Sequence, residues 1–240
     1  MPVRGGSEGL RKPLARLSLA ACAVALVYVF WLPEVEWLKT VDPKTTAYID
    51  RYLERAREKG RPARVVLRWT RLAEMSPHLR NAVVISEDDM FYAHDGVDWE
   101  SFRQAMDYNL RKRRFARGAS TITQQTARNL FLSSSKNPLR KVKEMLLARK
   151  MERALGKRRI LEIYLNIAEW GDGIYGAPAA CRRYFDKAPA EVTVDGAVAL
   201  AAALPSPRRL NPARKAGPRL LKRREVILER MRKAGYLPEA

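Results

Sequence analysis

The sequence predicts a mainly α protein, and three observations carry that expectation. Apolar residues recur at three- and four-residue spacing through most of the chain beyond residue 76. Helix starts are marked repeatedly, by Ser76-Pro77, Asp98 and Asn137-Pro138. Only one stretch, Arg64-Val-Val-Leu-Arg-Trp69, reads as a convincing strand.

The elements follow in order. Residues 1–16 form a basic tail carrying Arg4, Arg11, Lys12 and Arg16 against Glu8. Leu17 to Leu32 is an apolar run broken only by Ser18, and Pro33, Glu34 and Glu36 end it. Its 16 residues fall short of the usual span, but Leu14 and Ala15 extend it. Arg16 can snorkel, and Trp31 and Trp37 suit the far interface. Residues 17–33 are therefore expected to be an uncleaved transmembrane anchor, with the basic side cytoplasmic and the bulk of the chain outside. A cleaved signal peptide at Ala21-Cys22-Ala23 and a lipoprotein box at Leu19-Ala-Ala-Cys22 are the alternatives. Residues 34–63 read as a linker with a charged helix from Thr46 to Lys59, stopped by Gly60.

Beyond that linker, residues 64–237 read as one domain. Ser76-Pro77 opens a helix through Val83, Val84 and Ile85. Asp98 caps one carrying Trp99, Phe102, Ala105, Met106 and Leu110. Asn137-Pro138 opens a long helix with Val142, Met145, Leu146 and Leu155. Lys157–Asn166 and Gly176–Phe185 follow. Thr193–Leu204 is almost wholly apolar and so buried on most sides. Pro218–Lys233 closes the series, basic on its outer face.

Lys plus Arg is 46 and Asp plus Glu is 26, so the net charge of +20 selects for an anionic partner. Nucleic acid, an anionic membrane and a phosphorylated substrate all qualify on charge alone. The two cysteines, Cys22 and Cys181, fall on opposite sides of the expected membrane surface and lack metal-ligand spacing. His78 and His94 are too few for a His-based metal site.

Four stretches can carry chemistry. Glu87-Asp88-Asp89-Met-Phe91, continuing to His94-Asp-Gly96, puts carboxylates at a helix C-terminus. There the macrodipole disfavours negative charge and raises proton affinity, which suits a general base. Gly118-Ala-Ser120-Thr121-Ile-Thr-Gln124-Gln125 suits a loop presenting N–H groups, hydroxyls and amides at a helix N-terminus. Arg140-Lys141 with Glu144, joined by Arg128, is either a surface ion pair or the wall of a pyrophosphate site. Glu162 and Asn166 lie one turn apart and fit a hydrogen-bond network near a cleft.

Together, in this order, the stretches resemble the biosynthetic peptidoglycan transglycosylases in their monofunctional, single-pass form. The resemblance covers roughly residues 64–235, extending through Arg159-Ile-Leu-Glu162 with Tyr164-Leu-Asn166, and Leu204-Pro205 with Pro207 and Asn211-Pro212. Arg128 departs from the family's more usual lysine and keeps its charge. The resemblance implies a lysozyme-like helical lobe and a smaller, membrane-dipping lobe near residues 98–117. In that lobe Trp99, Phe102, Met106, Leu110 and Phe115 would enter lipid, with Arg111 to Arg114 at headgroups.

It also implies the reaction and its partners. The partners are lipid II, the growing glycan chain and the bacterial inner membrane, with other cell-wall synthesis proteins as candidates. Glu87 is the expected base and Glu144 the second carboxylate. Asp88, Phe91, His94, Gly118, Ser120, Thr121, Gln124, Gln125, Arg128, Arg140, Lys141, Glu162 and Asn166 would bind substrate. A divalent cation, magnesium or manganese, at the pyrophosphate is compatible with the sequence and not demanded by it.

A lytic enzyme of lysozyme type is the runner-up. It has less use for cations beside a second carboxylate, because its leaving group is a sugar; release of soluble fragments from finished sacculi separates the two. A tethered nucleic-acid binder lacks any base-reading motif, and an outward-facing domain meets no nucleic acid. Ser133-Ser-Ser-Lys136 matches a penicillin-binding pattern, but no Lys-Thr-Gly follows.

Overall fold

A computed structural model describes residues 8–114, 118–135, 137–212 and 217–238, with side chains from residue 16 onward. Ten helices and one short hairpin are found among them: α1 Glu8–Phe30, α2 Ala47–Glu58, α3 Pro77–Glu87, α4 Trp99–Lys112, α5 Ile122–Phe131, α6 Pro138–Leu155, α7 Lys157–Ile167, α8 Ala177–Phe185, α9 Val194–Ala203 and α10 Pro218–Lys233, with β1 Glu169–Gly171 pairing antiparallel to β2 Ile174–Tyr175. The fold is mainly helical, and the expected helices are found with ends shifted by a residue or so. Arg4, Arg11, Lys12 and Phe115 fall outside the residues whose side chains are described.

The core follows from two helices buried over most of their length. Every residue of α9 from Ala197 to Ala203 is buried, as is every residue of α7 from Ile160 to Ile167. A helix of mostly alanine lets its neighbours approach closely, since interaxial distance is set by the side chains at the contact. α3 packs on α9, with Ala82, Val83 and Ile85 in the shared core, and α10 lies against both and buries Leu220, Ile227 and Met231. On the other side α5 lies against α6 and α7.

The expected strand over 64–69 is not formed; those residues are irregular, and the only ladder among the described residues is the Glu169–Tyr175 hairpin. The chain that follows is held by side chains of α7 instead. Asn166 on α7 accepts from the Thr70 N–H at 2.9 Å and donates to the Thr70 carbonyl at 2.9 Å. Glu162 accepts from the Leu72 N–H at 2.8 Å and from Trp69 Nε1 at 3.1 Å. Side chains on one helix thus replace the neighbouring strand.

Caps obey the sequence in most places. Thr46, Asp98, Thr121, Asn137 and Thr193 each accept a backbone N–H within their own first turn. Ser76 does not. Its hydroxyl donates to the Val192 carbonyl at 2.9 Å, tying the start of α3 to the segment before α9. Both cysteines are unpaired; Cys22 is exposed and Cys181 buried.

Gly176 begins α8 with φ of +83°, and a Cβ there would stand 2.5 Å from the Asn166 carbonyl oxygen. Neither the dihedral nor the space tolerates a side chain. Gly176→Ala should therefore destabilise the fold by about 2 kcal/mol or more. Thermal and urea melts of the two proteins check this.

Candidate active site

Glu87 is the last residue of α3. The helix ends there because Asp88 turns the chain away, at φ −166° and ψ 76°. The Glu87 side chain is 11% exposed. Gln125 Nε2 donates to its Oε2 at 3.1 Å, and the Ser86 hydroxyl and the Arg223 guanidinium each reach its Oε1 at 3.4 Å. Tyr164, fully buried, donates its hydroxyl to Gln125 Oε1 at 3.3 Å, so the amide can only present its NH2 to the carboxylate. Burial raises the proton affinity of Glu87, and the Gln125 hydrogen bond and the Arg223 charge only partly offset it. The raised affinity anticipated from the helix terminus is present, and desolvation is its main cause.

Asp88 is largely committed to contacts within the protein. Its Oδ2 accepts the Ile122 N–H at 2.9 Å, at the first turn of α5. His94 Nε2 stands 3.0 and 3.1 Å from its two oxygens. The Gly96 N–H donates to His94 Nδ1 at 3.1 Å, which puts the imidazole proton of the neutral ring on Nε2, toward Asp88. The Thr121 hydroxyl donates to the Gly96 carbonyl at 2.7 Å. Asp88, His94, Gly96 and Thr121 are thus one closed set of contacts that fixes the end of α3 to the start of α5. Asp88, His94 and Thr121 were expected to bind substrate; they line the cavity over Glu87 and also make these contacts within the protein.

A correction applies to four others of the expected set. Phe91 is completely buried and packs edge-on to Tyr92 and His94, with Lys157 Nζ 4.6 Å from its ring centre. Gln124 is spent on a capping box with Thr121. Glu162 and Asn166 hold residues 69–72, as described above, and Arg159 ion-pairs with Glu162. Size, burial and cap geometry remove all four from the cavity wall.

Glu144 is fully buried, and its two oxygens are taken by Arg140 and Lys141 from the preceding turn. Lys141 Nζ also donates to the Ser120 hydroxyl at 2.9 Å. Arg128 does not join this cluster. It lies on the α5 face that carries Gln125, its guanidinium 5.8 Å from the Tyr48 ring centre, and its Nε has no hydrogen-bond partner among the described residues. From there its charge acts on Glu87. Among the described residues no three of His, Cys, Asp and Glu converge as metal ligands. A divalent ion at Glu144 would have to displace Arg140 or Lys141, so this donor set does not fit a resident metal.

A cavity of about 880 Å³ opens over Glu87. Its wall includes Glu87, Asp88, His94, Gly118, Ser120, Thr121 and Gln125 from the expected set. Arg140, Lys141 and Glu144 stand behind Ser120 rather than on the wall, and Lys141 reaches it through that hydroxyl. The base candidate lies on the groove wall, and the cation cluster is linked to that wall through Ser120.

Sequence reading missed Ser86, Arg223 and Arg230 on the cavity wall. The last helix was read only as basic on its outer face, and Arg223 was not singled out. It lies three residues after buried Leu220 and four before buried Ile227, on the apolar stripe of its helix. A cation on a core-facing stripe is the signal that marks it. Arg223 also donates to the Ser86 hydroxyl at 3.0 Å, and Ser86 donates to the Ala201 carbonyl at 3.3 Å, which ties α10, α3 and α9 at this point.

Comparison with known proteins gives the same reading from a second direction. A family model described as Transglycosylase matches residues 56–232. A biosynthetic peptidoglycan transglycosylase from Nitrosospira multiformis is 40% identical over 220 residues, covering 91% of this chain and 95% of that protein. One from Azoarcus sp. is 42% identical over 219 residues, covering 91% and 94%. One from Bordetella pertussis is 42% identical over 219 residues, covering 89% and 90%. The chain belongs to the biosynthetic peptidoglycan transglycosylase family.

Proposed function

We propose that this peptidoglycan glycosyltransferase extends glycan strands by transferring a growing chain, held on polyprenyl pyrophosphate, to the GlcNAc 4-hydroxyl of lipid II. The observation that carries this reading is the buried Glu87 carboxylate facing, across one groove, the Ser120 hydroxyl that receives Lys141. A sugar hydroxyl is a weak nucleophile until its proton is removed, and a carboxylate of raised proton affinity is suited to take it. The oxygen attacks the anomeric carbon of the donor, the bond from that carbon to pyrophosphate breaks, and the proton ends on Glu87. Attack from the face opposite the leaving group inverts the centre.

The leaving group is already anionic, so it needs charge rather than a proton. Lys141 supplies it through the Ser120 side of the groove, with Arg140 behind. Glu144 holds both cations in place. Gly118, Ser120 and Gln125 supply the donors for sugar and phosphate oxygens at the mouth of α5. Asp88, His94, Thr121 and Gln124 act as positioning residues for that mouth. Arg128 tunes Glu87 rather than meeting the pyrophosphate. This division of cations and carboxylates favours biosynthesis over the lytic alternative, whose sugar leaving group has no charge to neutralise.

Membrane placement belongs to the same reading. Among the described residues no helix is long and apolar enough to cross a membrane. α1 nevertheless runs 23 residues, about 34 Å at 1.5 Å per residue, and exposes Leu17, Leu19, Val24, Leu26, Val27 and Phe30. We assign residues 17–33 as an anchor in the bacterial inner membrane, residues 1–16 to the cytoplasm and the catalytic domain, residues 64–237, to the periplasm. α4 exposes Trp99, Met106 and Leu110, and these form the second lipid contact.

Glu87→Gln keeps the Gln125 contact and removes the base. It should lower polymerisation of purified lipid II by at least about 100-fold; strand growth at the wild-type rate would remove Glu87 from this role. Arg223 holds the Glu87 proton affinity down, so Arg223→Ala should raise it further. Because the base must be ionised, the acid limb of the pH–rate profile should move to higher pH in Arg223→Ala. The raised affinity also fixes a sign for stability. The folded state binds the Glu87 proton more tightly than the unfolded chain, so this group's contribution falls as pH rises from the ordinary carboxylate value through the raised one. Glu87→Gln should accordingly gain stability relative to wild type as pH rises across that window, read as the difference in Tm.

A further inference from the structure

The end of α1 and the middle of α6 enclose a second cavity of about 530 Å³, on elements that supply no wall to the groove over Glu87. Its lining is divided by chemistry. Phe30, Leu32, Leu146 and Ala154 are its apolar lining, and Lys39, Arg149, Lys150 and Arg153, with Glu36, are its charged lining. Lys150 is already committed: its ammonium donates to the Pro33 carbonyl at 3.1 Å and to Glu34 at 3.0 Å, stapling the chain leaving α1 to α6. Below it, Lys143 Nζ lies 4.5 Å from the Tyr28 ring centre, so α1 and α6 run side by side through this region.

Arg149 and Arg153 are one helical turn apart and exposed, and no ion pair holds either among the described residues. The acid on the rim, Glu36, turns one oxygen to the Val35 N–H at 3.1 Å. The balance is an unneutralised pair of guanidiniums above an apolar slot, at the point where the apolar helix ends and Trp31 is exposed. Two guanidiniums suit a phosphate diester, and the slot suits the first carbons of an acyl chain.

We propose that this cavity binds the phosphate headgroup of an anionic phospholipid, fixing the depth and rotation of the catalytic domain at the bilayer surface. The proposal rests on the reading of α1 as an anchor. Lipid is favoured over free phosphate because half of the wall is apolar and continuous with the exposed end of α1.

The test uses the full chain in detergent micelles, with native mass spectrometry counting retained lipid. Dioleoylphosphatidylglycerol and dioleoylphosphatidylcholine are the probes, and inorganic phosphate is the competitor. Expected is retention of phosphatidylglycerol over phosphatidylcholine, insensitive to equimolar inorganic phosphate. Arg149→Gln with Arg153→Gln should weaken that retention roughly tenfold or more, whereas Arg149→Lys with Arg153→Lys should keep most of it. Equal retention of both lipids, an unchanged Gln pair, or displacement by inorganic phosphate would overturn the assignment. Flotation with phosphatidylcholine vesicles reads the anchor separately: a chain that floats without lipid preference keeps the anchor and loses this site, and a chain that does not float loses both.

Discussion

The carboxylate of Asp88 is the contact on which the rest of the site depends. It spans from the end of α3 to the first N–H of α5 and clamps His94 on the way. Without it, the residue before it has no fixed relation to the loop that faces it. Glu87 hangs from one side of this link, and Ser120 and Gln125 from the other. A buried carboxylate accepting from an N–H and an imidazole is held by charge-assisted bonds, which are the stronger and better-directed kind. Two neighbouring acids therefore divide the work by environment. Asp88 accepts short bonds from Ile122 and His94, and Glu87, with longer contacts, has its proton affinity raised by burial.

A similar division organises the cations. The chain carries a net +20, yet the cations nearest the groove are not loose. Glu144, with no exposure of its own, pins Arg140 and Lys141, so their positions are set before any ligand arrives. Burying a carboxylate costs several kcal/mol unless it is fully paired, and here both oxygens are. The cost is repaid in geometry: Lys141 is aimed at Ser120 rather than wandering in solvent.

Much of this was legible in the sequence, and the misses have physical causes. Helices were readable because period and caps agree: Asp98, Asn137 and Thr193 each sit one residue before the helix they start. The segment 64–69 looked like a strand because Val65, Val66 and Leu67 are apolar, and no local signal shows that Glu162 and Asn166, over 90 residues away, satisfy the backbone beside it. At the site, residue types identified Glu87, Ser120 and Gln125. They could not say which polar groups also make contacts within the protein, as Asp88 and Thr121 do on the cavity wall and Gln124 and Glu162 do away from it. Arg223 escaped because a lone arginine in a basic helix looks like surface until its stripe is compared with Leu220 and Ile227.

The ion pair between Arg223 and Glu87 joins residues 136 positions apart. A chain that emerges from the ribosome amino end first presents this carboxyl long before this guanidinium. Until the last helix docks, Glu87 has no partner from α10, and Ser86 has no bond linking it to that helix. The surroundings of Glu87 are therefore complete only once the last helix has been made and has docked.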